Sequence, residues 1–168
     1  MGRISRLLKH RWTDDADLRR ALPADALARI EARVASSERG HSGEIHVSVE
    51  AGLPLSYLWQ GLTARHRAIT LFGKLRVWDT EHNNGVLVYL LLADRAIEIV
   101  ADRGVDRWVP AAQWQALLAP MQQAFRDGRF EAGLGQAISA IDALLLQHFA
   151  LAPGQTNPDE LPNRPDLR

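Results

Sequence analysis

The chain has 168 residues, 46% hydrophobic and 24% charged, which is the profile of one ordinary globular domain able to bury a core without covalent staples. Twenty Lys and Arg balance twenty Asp and Glu, which excludes an overall nucleic-acid field, and zero cysteines exclude disulfides, thiolate metal sites and a cysteine nucleophile. The longest apolar run, Val86 to Ala93, falls far short of the ~20 residues a bilayer helix needs, and Arg3, Arg6, Lys9 and Arg11 break up the apolar residues near the start, so a cytoplasmic protein without a signal segment is expected.

Residues 1–20 read as an N-terminal basic amphipathic helix. Ile4, Leu7, Leu8 and Trp12 fall at helical spacing among four cations, with no acid in residues 1–12. The stripe is expected to pack on the domain, and peripheral contact of residues 1–12 with anionic lipid is the other reading. The main domain is expected over residues 21–150. Pro23 opens a helix with Leu27, Ile30 and Val34 on its inner side, ended by Gly40. Glu44 to Glu50 alternates strictly, so it reads as a strand with Ile45, Val47 and Val49 inward and a wet face of Glu44, His46, Ser48 and Glu50. A helical turn at Ser56 to Gln60 and a helix capped by Thr63 and running to about Phe72 follow, with Arg65, His66 and Arg67 as its solvated face.

Val86 to Leu92 is too continuously apolar to be half exposed, which predicts a central strand covered on both faces. Ala93-Asp94-Arg95 is a short reversal into an antiparallel partner ending at Ala101. The first strand reaches the central one through a helical crossover, so that pair is parallel. Ala111 to Asp127 is helical but should kink or split at Pro120. Glu131 to Phe149 forms the last helix, and residues 151–168 hold four of the eight prolines and read as an extended tail. The fold class is α/β: a three-layer α/β/α sandwich around a mixed sheet of about four strands with a central antiparallel hairpin.

These strand directions bring the loop before Val86 and the loop after Ala101 to one edge of the sheet, with His41 and Glu44 near. Asp79, Glu81, Asn83, Asn84, Asp102 and Asp106 are the candidate metal ligands, because carboxylate and amide oxygens in two loops suit a hard cation, Ca²⁺ or Mg²⁺. The alternative is a polar loop whose Asp79 and Asn pair satisfy backbone groups in Asx-type turns. The loop is not an EF-hand, since Leu90 stands where the bidentate acid belongs. Gly40-His41-Ser42-Gly43-Glu44 is not a nucleophile elbow: its fifth residue is Glu and its Ser precedes a strand. No phosphate-binding glycine loop and no H-E-x-x-H occurs.

The Asn83-Asn84-Gly85-Val86-Leu87 block, followed by Ala93-Asp94-Arg95, Ile97-Glu98-Ile99 and Asp102-Arg103-Gly104-Val105, resembles the TPM-domain family over about residues 20–150. Arg76 to Asn83 and the closing Asn157 to Pro162 are most similar to a compact branch of that family without a membrane anchor. The resemblance implies an α/β/α sandwich, divalent-cation binding at Asp79, Asn83, Asn84 and Asp102, and for some members a weak acid phosphatase activity. Asp102-Arg103 replaces the family's usual glycine here, leaving Gly104 alone. The functional expectation is a cation-binding interaction module acting with an unidentified, membrane-associated protein partner; a metal-dependent phosphomonoesterase of low activity is the alternative.

Overall fold

The computed structural model describes residues 3–168. A mixed sheet, ordered β3-β2-β1-β4, is built from β1 (Glu44–Glu50), β2 (Gly85–Leu91), β3 (Ala96–Ala101) and β4 (Asp166–Leu167). β1 runs parallel to both β2 and β4, and β2 and β3 form the antiparallel hairpin. All of β2 is buried because helices cover both faces of the sheet. Val86, Val88 and Leu90 enter a core shared with Ile45, Val47 and Val49 of β1, under α2 (Asp15–Ala21), α3 (Ala24–Ser37), α7 (Ala111–Arg126) and α8 (Phe130–Phe149). Leu87, Tyr89 and Leu91 enter a second core under α4 (Leu55–Trp59) and α5 (Ala64–Lys74). The period-2 alternation of a strand thus divides one apolar run between two cores. The α/β/α sandwich is as expected.

Several local expectations are corrected. The wet face of β1 is buried. A C-terminal strap, residues 157–168, lies over it: Glu44 Oε2 accepts from the Leu161 N–H at 3.2 Å, His46 Nδ1 faces the Pro162 carbonyl at 3.2 Å, and Ser48 donates to Asp166 at 3.0 Å. The alternation is real, but its polar side meets hydrogen-bonding chain instead of solvent. The extended tail is ordered, draped as strap and short strand along the otherwise open edge of β1. Arg67, expected in solvent, is buried and forked onto Glu50 at 2.6 and 2.9 Å.

α7 continues through Pro120 without splitting. Pro120 and Ala116 both lie on its exposed side, so the carbonyl that loses its partner faces outward. The first twenty residues form two helices, α1 (Arg3–Trp12) and α2, separated where Thr13 bonds back to Lys9 and Asp14 opens a capping box with Asp17. Finally, α1 does not lay its apolar stripe on the domain. Ile4, Leu8 and Trp12 are 74%, 46% and 74% exposed. It docks instead through Leu7, through Arg6 on Asp94, and through His10, whose ring accepts from the Leu53 N–H at 3.0 Å and faces Asp94 at 3.0 Å.

Among the described residues, no helix is long and apolar enough to cross a membrane.

Candidate functional site

One rim of the sheet gathers the start of β1, the start of β2 and the end of β3. Glu44 is in register with Gly85, and Val86 with Ala101. The loops before β2 and after β3 are locked together by their backbones. Asp102 N–H donates to the Gly85 carbonyl at 2.9 Å, and Gly104 N–H to the Asn83 carbonyl at 3.0 Å. Both glycines are required by this approach: a Cβ on Gly85 would collide with the Val77 carbonyl oxygen, and one on Gly104 with that of Asn83. The convergence expected from strand direction is therefore present in the backbone.

The side chains divide into two groups. Asn84 and Asp102 are buried, whereas Asp79, Glu81 and Asp106 are exposed and Asn83 is half-buried in a left-handed turn at φ 53°. Thr80, not an Asx turn, satisfies the Asn84 N–H, at 3.0 Å. Asn84 Nδ2 donates to the Ser42 carbonyl at 2.9 Å; because that oxygen can only accept, the amide orientation is determined and Oδ1 is left without a partner. Asp102 caps α6 (Arg103–Asp106) through Oδ1, 2.7 Å from the Arg103 nitrogen, and its Oδ2 also has no partner. Asp79 pairs with Arg76 inside its own turn, and Asp106 lies at the far end of α6, so neither carboxylate is held by the contact between the loops.

Three further polar residues of the rim were not in the expected set. Glu160 of the strap accepts from the Glu81 N–H at 3.0 Å, beside a cavity of about 520 Å³ that Ser42 and His82 also line. Glu38 and Asp159 join Glu44, each offering one oxygen within 4.8 Å of the other two. Burial raises the Glu38 carboxyl to about 8, with Glu44 and Asp159 adding repulsion, and burial raises Glu44 as well. Burial lowers His41, which is enclosed between Ser37 and the Gly43 carbonyl and favours the neutral ring. Glu38 reads in sequence as a helix end and Asp159 as part of a tail. The signal available was the likeness of the Asn157–Pro162 block to a compact branch of the resembled family, in a segment whose composition indicated no order.

A family model described as the TPM domain matches residues 15–144. The chain belongs to the TPM-domain family. Among solved structures, this TPM domain is similar to the BA42 protein of the psychrophilic bacterium Bizionia argentinensis, at 26% identity and a TM-score of 0.75, over 88% of this chain and 95% of that one. It also shares its fold with the N-terminal domain of a P. gingivalis protein, at 20% identity and a TM-score of 0.60, over 78% and 83% of the two chains. No curated protein matches it.

Proposed function

We propose that this TPM domain is a divalent-cation-binding interaction module, with Ca²⁺ or Mg²⁺ held by the loops Asp79–Asn84 and Asp102–Asp106. The observation that carries the reading is a pair of buried oxygens, Asn84 Oδ1 and Asp102 Oδ2, without partners in loops whose backbones are bonded together. An unmatched buried acceptor costs about 1–3 kcal/mol, and a hard cation is the partner that oxygen donors suit best. Asp79, Glu81, Asn83 and Asp106 would have to turn toward these two oxygens to complete the ligand set, Asp79 leaving its pair with Arg76. Calorimetric titration of the full chain with Ca²⁺ and with Mg²⁺ tests it. Asp102→Asn, which keeps the cap on Arg103, should weaken binding about 10-fold or more; an unchanged isotherm rejects the loop site.

Metal-dependent phosphomonoester hydrolysis is the second reading, in keeping with the family model's name. Arg103, exposed and directly after Asp102, would contact the phosphoryl oxygens. A phosphomonoester assay with added metal decides it: activity should fall in Asp102→Asn and Arg103→Ala, and activity that survives both belongs elsewhere.

The partner surface we assign to α1. Ile4, Leu8 and Trp12 form an exposed stripe with Arg11 beside it, and exposed Leu55 and Trp59 belong to α4, against which α1 packs. That combination suits an anionic membrane surface, where a membrane-associated partner would be met. Salt-sensitive pelleting with phosphatidylglycerol vesicles, reduced in Leu8→Ser/Trp12→Ser, is the expected result, and equal pelleting with neutral vesicles rejects it.

A further inference from the structure

Beside the loops, and sharing no residue with them, the start of β1 holds a second concentration of oxygen atoms. Glu38 is the C-cap of α3. Its Oε1 accepts from the Ile45 N–H at 2.8 Å, and its Oε2 has no partner. Glu44 opens β1; its Oε2 accepts from the Leu161 N–H, the Asn157 side chain and the Glu160 N–H also favour its charged form, and its Oε1 makes no hydrogen bond. The two residues are 4% and 0% exposed. Asp159 joins them from the strap, and the three carboxylates converge within 4.8 Å. None of the ion pairs among the described residues involves any of the three.

A fourth oxygen borders the same space. Asn163 donates through Nδ2 to Asp159 Oδ1 at 3.3 Å, while its own Oδ1 is sealed from solvent and has no partner. Asn163, Glu38 and Asp159 line a cavity of about 390 Å³ together with Arg39, whose guanidinium bonds to Ser36 and pairs with none of the three acids. Buried carboxylates without a counter-charge are costly. In the converging group the donors are all oxygens; His46, whose Nε2 also lacks a partner, stands two residues along β1 and is not one of the three. That donor set selects a hard cation over zinc or copper. Among hard cations, Mg²⁺ demands a near-ideal octahedron and keeps several waters, whereas Ca²⁺ accepts irregular sets of protein carboxylate and amide oxygens, and a set drawn from side chains of three elements favours Ca²⁺.

We propose that Glu38, Glu44 and Asp159 form a Ca²⁺ site that clamps the C-terminal strap to β1 and to the end of α3. The ion would join the strap to the end of α3 and the start of β1, more than a hundred residues earlier in the chain, and would order the residue next to Glu160, which holds the Glu81 amide in the first loop.

The test is calorimetric titration of the chelator-stripped full chain with Ca²⁺, in parallel with its thermal midpoint. The parent and Asp79→Ala/Asp102→Asn, which removes ligands from the loops, are compared with Glu38→Gln and Asp159→Asn in that double-variant background. Glu38→Gln keeps the acceptor for Ile45, and Asp159→Asn changes an exposed residue, so the second remains informative if the first folds poorly. Ca²⁺ binding should persist in the double variant and fall about 10-fold or more on adding either substitution. The Ca²⁺-dependent rise in thermal midpoint should shrink with it. Binding that is lost in the double variant, or unaffected by Glu38→Gln and Asp159→Asn, overturns the clamp. Binding equal in the parent and the double variant but lost with Asp159→Asn rejects the loop site while supporting the clamp.

Discussion

The two ends of β1 treat buried charge in opposite ways. At its C-terminal end Glu50 is enclosed but fully matched: Arg67 forks onto it, and Tyr89 donates to it at 2.7 Å. The hairpin turn beside it behaves alike. Burial pushes the Asp94 carboxyl up, but hydrogen bonds from His10 and Arg6 and the charge of Arg6 outweigh that and hold it below the ordinary range. At the N-terminal end Glu38, Glu44, Asn84 and Asp102 each keep an oxygen without a partner, and Glu38 and Glu44 are pushed up by burial. The same strand thus has one end arranged as internal structure and another arranged to receive something. Charges matched inside the chain favour stability of the fold, whereas unmatched ones mark where a ligand or a proton completes it.

The largest break in this contrast should come from Arg67→Ala, which leaves Glu50 buried without its cation. A loss of about 3–5 kcal/mol is expected by urea denaturation. Gly85→Ala should follow at about 1–3 kcal/mol, because its new methyl meets the Val77 carbonyl and forces apart the loops that form the rim. Glu38→Gln sharpens the comparison through pH. In the metal-free protein the folded Glu38 carboxyl titrates near 8 against an ordinary 4.5. The native state therefore holds a proton that the unfolded chain releases between those values. Its contribution to stability is complete below 4.5 and declines as pH rises toward 8. Denaturation across that range should slope less steeply downward in Glu38→Gln than in the parent; Glu44 and Glu98, also raised by burial, add to the decline, and His41 and His46, lowered by burial, oppose it. Asp102→Asn should change stability by less than about 1 kcal/mol, since Asn caps a helix as well as Asp. Asp79→Ala should be the smallest effect, about 0.2–1 kcal/mol, since it removes only an exposed pair with Arg76. Thermal unfolding resolves both.

Most of the architecture was legible because it follows from periods. The unbroken run of β2, the alternation of β1 and the stripe of α8 each report which faces are covered, and the connections between them imply strand direction. The meeting of the two loops followed from direction alone. What period could not supply was the chemical nature of the cover. Glu44, His46 and Ser48 read as a wet face because polar alternation looks the same under solvent as under a hydrogen-bonding strap. Arg67 read as solvated for the same reason, since its partner Glu50 stands on another element. The stripe of α1 misled in the other direction. Apolar spacing implied burial, yet one leucine and two polar side chains anchor that helix.

The amino-acid order by itself determined the α/β/α layering, the mixed sheet, the hairpin and the edge at which its two loops meet, since each rests on local spacing and chain direction. Only the tertiary structure decided that the last twelve residues return as strap and fourth strand, and that Glu38, Glu44 and Asp159 share one space. The physical reason is distance along the chain. Contacts between residues more than a hundred positions apart leave no periodic mark, and are fixed by which buried acceptors remain to be met once the sheet has formed.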